Sequence, residues 1–207
     1  FTDKDGTSVA LTGDIGNSPS PLLPDWEAVP DADAILMESV YGDRLHPEQQ
    51  RRTEILVEVL KRAIAKGGTV LIPAFSLERT QLMLYEISNF FSANELPKIP
   101  VFLDSPLAIH VTMVYEKWGA TYFKPEVEGE MKREGSLFEF PFLKQTLSRE
   151  QSMEIGKTSK SKIIIAGAGM SHGGRIGGWE KKYLPDPSTT LLIVGYQAPG
   201  SPGRRIQ

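Results

Sequence analysis

The sequence contains no cysteine among its 207 residues. Disulfide bonds and cysteine-based zinc sites are therefore excluded for this chain. It also has no apolar run approaching the roughly 20 residues that a membrane-spanning helix needs, and no signal peptide at its start. We therefore expect a soluble, cytoplasmic protein with no membrane partner.

The chain also lacks a strong excess of either charge. Its 23 Lys and Arg residues nearly balance its 26 Asp and Glu residues, so the net charge is −3 and the isoelectric point is about 5.7. A protein that holds nucleic acid by bulk charge is basic. Any polyanion bound by this chain would therefore be held by a few well-placed side chains.

Hydrophobic residues make up 40% of the chain, which is enough for a substantial core. The length suits one large domain, or one domain plus a piece of another. Because the sequence begins at Phe1 rather than at methionine, we expect a fragment of a longer protein.

Apolar strand patterns alternate with helical patterns through most of the chain. The strands are predicted at about 34–38, 69–74, 99–103, 162–167 and 189–195. Helices are predicted between them, the first beginning at His46 and running to about Lys66. This alternation predicts an α/β fold with a mostly parallel sheet and helices on both faces. Residues 1–30, with a strand predicted at 8–12, do not follow this alternation of strands and helices. They resemble the edge of a different, β-rich unit.

Two acidic residues follow predicted strands near the start of the chain. Asp14 lies in a Gly-flanked turn, where it is either an Asx turn residue or a metal ligand. Glu38 ends the next strand, where it is either solvated, paired with a base such as Arg44, or functional. Because the two acids share one structural context, they are candidates for metal-assisted or general-acid chemistry.

Two further strand ends carry candidate anion-binding residues. Ser76 is predicted to cap the helix after the strand at 69–74, and Arg79 lies in its first turn, where it opposes the helix dipole. Arg79 therefore either holds a phosphate with the helix N–H groups or pairs with Glu78 or Glu86. By contrast, Asp104, after the strand at 99–103, is expected to be a helix cap.

A Gly-rich stretch at 167–174 follows the strand at 162–167 and precedes Arg175. Glycine lets backbone N–H groups approach an anionic oxygen, and the planar guanidinium group suits phosphate. The stretch predicts either a phosphate cradle or a tight turn that binds nothing. Dinucleotide binding is disfavoured, because the later glycines do not match the G-x-G-x-x-G spacing.

Six blocks of the sequence together resemble the β-CASP branch of the metallo-β-lactamase superfamily. The similarity is greatest to its RNA-processing exonucleases and polyadenylation-factor endonucleases. Any one block is weak evidence, but six in order cover nearly the whole chain. The blocks are TGDIG (12–16), ESVYGDR (38–44), IPAFSLERTQ (72–81), DSPLA (104–108), AGAGM with GGR (166–170 and 173–175) and VGYQ (194–197).

The resemblance implies two domains: the C-terminal part of a metallo-β-lactamase-like domain at 1–40, and a β-CASP domain at 41–207, truncated at its end. It implies a zinc-dependent ribonuclease with two zinc ions, acting on RNA in processing or decay. Asp14 matches the family's bridging metal ligand, and Glu38 matches an acid that orients an active-site histidine.

The resemblance also assigns substrate-side roles. Ser76, Arg79 and Arg175 would hold RNA phosphates, and Tyr41 and Tyr196 would pack under the substrate. The oligomeric state is left open, a homo-oligomer included.

The family's histidine motifs are absent from this sequence, and His46, His110 and His172 match none of them. One carboxylate does not make a zinc site. We therefore expect the isolated chain to bind no zinc and to be inactive alone, as the substrate-side wall of the cleft. The alternative is a non-catalytic module that binds RNA or a partner.

Overall fold

The computed structural model describes residues 1–16, 18–46 and 51–207. In this part of the chain, five parallel strands form the main sheet: β3 (Thr69–Pro73), β4 (Val101–Leu103), β5 (Leu143–Gln145), β6 (Lys162–Ala166) and β7 (Thr190–Leu191). Their order across the sheet is β5-β4-β6-β3-β7. Because all five are parallel, the loops that follow them share one edge of the sheet, which we call the carboxyl edge.

The centre of the sheet consists of β6 and β3, paired from Thr69↔Lys162 to Pro73↔Ala166. Every residue of both strands is buried. A strand covered by helices on both faces needs apolar residues at successive positions, and β-branched side chains fit such a surface well. This explains why the run at 163–165 occupies the centre.

Helices cover both faces. One core contains side chains of α1 (Arg52–Ala65), α2 (Arg79–Ser92), α3 (Pro106–Tyr122) and α4 (Pro125–Glu134), packed on alternate strand residues such as Ile72. A second core on the other face contains α5 (Arg149–Ile155) and α6 (Gly174–Tyr183), packed on residues such as Leu71. A short α7 (Pro202–Ile206) ends the described chain. The fold prediction of a parallel α/β sheet covered on both faces is confirmed.

A separate two-stranded parallel sheet lies in the N-terminal segment. Its strands are β1 (Val9–Leu11) and β2 (Ala34–Leu36), paired from Val9↔Ala34 to Leu11↔Leu36. The segment between them reaches the main body, because Leu22 is buried in the larger core and its carbonyl accepts the Lys124 N–H at 3.0 Å. The proposed boundary between 1–40 and 41–207 stays a prediction.

Three element predictions were wrong. The strand at 34–38 pairs with β1 and not with the main sheet. The edge strand β5 lies in a stretch that the sequence pattern left irregular, and α7 lies where a loop was expected. The predicted start of the first helix near His46 falls next to residues 47–50, which lie outside the described residues.

None of the helices in the described part of the chain combines the length and the apolar character that crossing a bilayer requires.

Candidate functional site

The end of the N-terminal sheet brings Asp14 and Glu38 to neighbouring positions. Because β1 and β2 are parallel, both strands end at the same edge, where the Thr12 N–H donates to the Leu36 carbonyl at 3.1 Å. The Ile15 N–H, next to Asp14, donates to Glu38 Oε1 at 3.0 Å. Both carboxylates are exposed. Glu38 thus holds the backbone of the loop that carries Asp14.

These two acids do not by themselves make a metal site. Within residues 1–16, 18–46 and 51–207, no group of three or more His, Asp or Glu side chains is placed to hold a metal ion. Catalytic zinc sites use three protein ligands. The two zinc ions implied by the family resemblance therefore do not fit the described residues alone.

Ser76 lies beside the Gly-rich turn and not at a helix cap. The N-cap position of α2 is Glu78, which makes no side-chain cap hydrogen bond. Its φ of 62° and ψ of −60° form a γ-turn closed by the Arg79 N–H and the Leu77 carbonyl at 2.7 Å. Ser76 Oγ instead lies 3.8 Å from the position that a Cβ on Gly167 would take. The cap prediction for Ser76 was wrong because this turn delays the start of the helix.

Arg79 is the first residue of α2 and is half-buried. It lines a pocket of about 310 Å³ together with Arg52, Glu86 and residues 192–194. Among the described residues it makes no ion pair with Glu78 or Glu86, the two partners considered from the sequence. Burial raises the pKa of Glu86, opposed by the hydrogen bond from Thr53 and the charge of Arg52.

Arg175 donates its hydrogen bonds to the protein itself. Its Nη1 lies 2.6 Å from Asp104 Oδ1 and 2.8 Å from the Thr146 carbonyl, and its Nη2 lies 2.8 Å from the Leu147 carbonyl. The guanidinium group therefore joins α6 to the ends of β4 and β5. The prediction that Arg175 holds phosphate gains no support from this geometry, which gives the side chain a positioning role.

Asp104 is the acceptor at the centre of this arrangement and is fully buried. Besides Arg175, three side chains donate to its carboxylate at 2.5–2.7 Å: Thr146 Oγ1, Ser152 Oγ and Trp179 Nε1. The cap prediction for Asp104 was wrong, because Ser105 Oγ accepts the Ala108 N–H and caps α3. Sequence reasoning missed this cluster because its members are up to 75 residues apart along the chain.

Internal contacts shape the Gly-rich turn after β6. The Ser171 and Ile176 N–H groups donate to the carbonyls of Ala168 and Gly167, both at 3.0 Å. The buried Gln197 side chain donates through Nε2 to the Gly169 carbonyl at 2.8 Å. The N–H groups of Ser171 and Ile176 therefore already have backbone acceptors. The phosphate cradle predicted for this turn stays a prediction.

Tyr41 and Tyr196 lie in contact, although 155 positions separate them in the sequence. Their rings meet edge to face, with centroids 5.5 Å apart. They line a pocket of about 170 Å³ with Arg44, Gln197 and Arg204. Arg44 pairs with its neighbour Asp43 and not with Glu38. Sequence analysis did not single out Gln197 or Arg204 for this pocket, which only the fold assembles.

Comparison with known proteins identifies the family. The sequence model of the Beta-Casp domain matches residues 80–206. Over 98% of its length the chain is 35% identical to "Ribonuclease TTHA0252" of Thermus thermophilus, covering 46% of that protein. It is 31% identical over its whole length to an "RNase J-like protein" of Methanocaldococcus jannaschii, covering 48%. It is also 27% identical over its whole length to "Endoribonuclease ysh1" of Schizosaccharomyces pombe, covering 27%.

The chain thus spans less than half the length of these relatives. The family resemblance predicted from the six sequence blocks is confirmed. Because the domain match covers more than half of the chain, this chain belongs to the Beta-Casp domain family.

Proposed function

We propose that this chain is part of a zinc-dependent ribonuclease that hydrolyses RNA phosphodiester bonds in RNA processing or decay. The observation that carries the proposal is the hydrogen bond from the Ile15 N–H to Glu38, which sets the loop of Asp14 against a second acid. The printed names of three relatives, each a ribonuclease or RNase J-like protein, support the same reaction class.

In this proposal Asp14 supplies one carboxylate to a metal site whose other ligands lie outside the described residues. Glu38 uses one carboxylate oxygen to fix the Asp14 loop. Its other oxygen is then available to accept an imidazole N–H and orient a histidine from elsewhere in the protein. Glu38 is therefore a positioning residue, and Asp14 is a metal ligand.

The carboxyl edge of the main sheet would form the substrate side of the cleft. Ligands of open α/β sheets bind at this edge, and the loops of β3, β6 and β7 meet there. Ser76 and Arg79 are proposed to contact RNA phosphates. Arg175 instead stabilises the loops at this edge through its ion pair with Asp104. Tyr41 and Tyr196 are proposed to contact the bases.

The test is a cleavage assay with labelled RNA on the full-length protein. Asp14→Asn is expected to lower metal-dependent cleavage by about a hundredfold or more, since it removes a ligand charge. Glu38→Gln is expected to lower it by about 10- to 100-fold, the usual effect of losing a residue that orients a ligand. The matched control is Asp31→Asn, an exposed acid of the same segment. Full activity of Asp14→Asn would remove Asp14 from the site.

The second candidate is a non-catalytic module that binds RNA or a protein partner. This function would require no metal ligand from outside the chain, only the carboxyl edge and the pocket of Tyr41 and Tyr196. The two proposals differ in one measurement. A full-length protein that binds RNA but does not cut it, with zinc added, would support the module and exclude the nuclease.

A further inference from the structure

Phe75 is an exposed aromatic residue at the carboxyl edge of the main sheet. It lies two residues after the end of β3, and 39% of its surface is exposed. The carbonyl of Phe75 is fixed, because it accepts both the N–H and the Oγ1–H of Thr80, at 3.2 and 2.7 Å. A large apolar side chain is thus held by a rigid backbone at the edge where α/β sheets bind ligands.

Glycines on both sides make room for this ring. In the sheet, β3 lies between β6 and β7; Gly169 follows β6 and Gly195 follows β7. A Cβ on Gly169 would lie 2.8 Å from Cδ2 of Phe75, closer than real Cβ contacts allow, and a Cβ on Gly195 would lie 3.4 Å from Cε2. Both built Cβ positions are nearest the Cδ2–Cε2 edge of the ring, so glycine at 169 and 195 leaves room for that edge, while 39% of the residue stays exposed.

Phe75 lies beside the loop that carries Tyr196, because a Cβ on Gly195 would lie 3.4 Å from its ring. Tyr196 directly follows Gly195, and its ring meets Tyr41 at 5.5 Å. We call Phe75, Tyr196 and Tyr41 the aromatic row. Arg44 and Arg204 line the pocket formed at the tyrosine end of the row. Aromatic surfaces and cationic groups therefore lie side by side, as they do in proteins that bind single-stranded nucleic acids.

We infer that the aromatic row stacks against bases of single-stranded RNA, with Phe75 as its most exposed contact. The inference rests on the RNA substrate proposed above and adds how that substrate is held. Every base has a π-face, so stacking on such a row is tolerant of sequence. Bases in a duplex are already stacked on each other, so the row would favour unpaired RNA. For a chain of net charge −3, stacking supplies affinity that does not depend on bulk positive charge.

The test compares two RNA ligands of equal length, one with bases and one with abasic ribose-phosphate units. Binding to the full-length protein is measured by fluorescence anisotropy in EDTA, so that the ligands stay intact. Phe75→Leu is expected to weaken binding of the base-bearing RNA by about fivefold to a hundredfold. It should leave the abasic ligand unchanged, because the phosphate contacts remain.

Three further variants make the result specific. Phe75→Tyr keeps an aromatic ring and should retain the preference for bases. Tyr196→Leu changes the row at a second position and should show the same base-selective loss, even if Phe75→Leu does not fold. Tyr122→Leu is the matched control, because Tyr122 is 63% exposed at the far end of α3, about 25 Å along the helix from its start. It should alter binding of neither ligand.

Equal weakening of both ligands by Phe75→Leu and Tyr196→Leu, or no weakening of either, would overturn the stacking inference while leaving the nuclease proposal in place. A wild-type protein that neither binds nor cleaves RNA would instead overturn the proposed function itself.

Discussion

Asp104 accepts hydrogen bonds from four side chains that come from β5, α5 and α6 or the residues beside them, and it has no exposure to solvent. Removing one member of a buried ionic cluster leaves the others without a partner in a region of low dielectric. Asp104→Ala should therefore lower the free energy of unfolding by about 3–5 kcal/mol, measured by urea denaturation of the 207-residue chain. Arg175→Ala should also destabilise the fold, since Arg175 joins this cluster.

The control is Asp43→Ala, which removes an exposed carboxylate paired with Arg44. Exposed ion pairs contribute about 0–1 kcal/mol, so this variant should unfold almost like the wild type. If Arg175→Ala left stability unchanged and weakened only RNA binding, the positioning role of Arg175 would be contradicted. That result would support the prediction that Arg175 binds phosphate.

At the scale of the elements, α6 contains two glycines that the fold does not require. A Cβ on Gly177 or on Gly178 would meet nothing within 4 Å. Glycine in a helix interior costs about 0.5–1 kcal/mol relative to alanine. Gly177→Ala and Gly178→Ala should each raise the free energy of unfolding by about that amount, measured by urea denaturation with helical circular dichroism as the signal.

Gly174, at the start of the same helix, is the matched contrast. Its φ is +63°, and a Cβ there would lie 2.5 Å from the Gly167 carbonyl oxygen. Gly174→Ala should therefore destabilise the chain. Stabilisation by all three alanines would show that the Gly-rich turn does not need its observed backbone conformation.

The elements that could be predicted from the sequence are those with a strong local pattern. The β-branched run at 163–165 and the apolar run at 69–73 predicted the two central strands, because burial on both faces demands such residues. The edge strand β5, Leu143–Gln145, has only three residues and is partly exposed, so no local pattern marks it. The partner of β2 could not be predicted, since pairing with β1 depends on chain-wide packing.

At the scale of the whole molecule, the sequence predicted which loops carry the candidate site residues, but not which of these loops are in contact. It indicated Asp14 and Glu38, and the structure places their loops in contact; their roles stay predictions. The packing of Phe75 was not predicted, because it involves Gly169 and Gly195, which follow it by 169 − 75 = 94 and 195 − 75 = 120 positions. Such convergence has no signal in local periodicity.

Leu22 packs the N-terminal segment into the core of the main body. It is 1% exposed and belongs to the larger core, although the strands on either side of it form a separate sheet. Removing a buried leucine side chain leaves a cavity and costs about 2–5 kcal/mol. Leu22→Ala should therefore destabilise the main body by this amount. Leu36→Ala, in a strand residue that is 68% exposed, should have little effect on the same measurement.

Two tryptophans can report whether the parts are coupled. Trp26 lies in the N-terminal segment, and Trp179 is buried against the main sheet. The fluorescence lost in Trp26→Phe reports the N-terminal segment, and the fluorescence that remains, from Trp118 and Trp179, reports the main body. The two urea transitions should coincide, because Leu22 links the N-terminal segment to the core. In Leu22→Ala the transition reported by Trp26 should move to lower urea than that of the main body. Separate transitions already in the wild-type background would mean that the N-terminal segment folds independently of the five-stranded sheet.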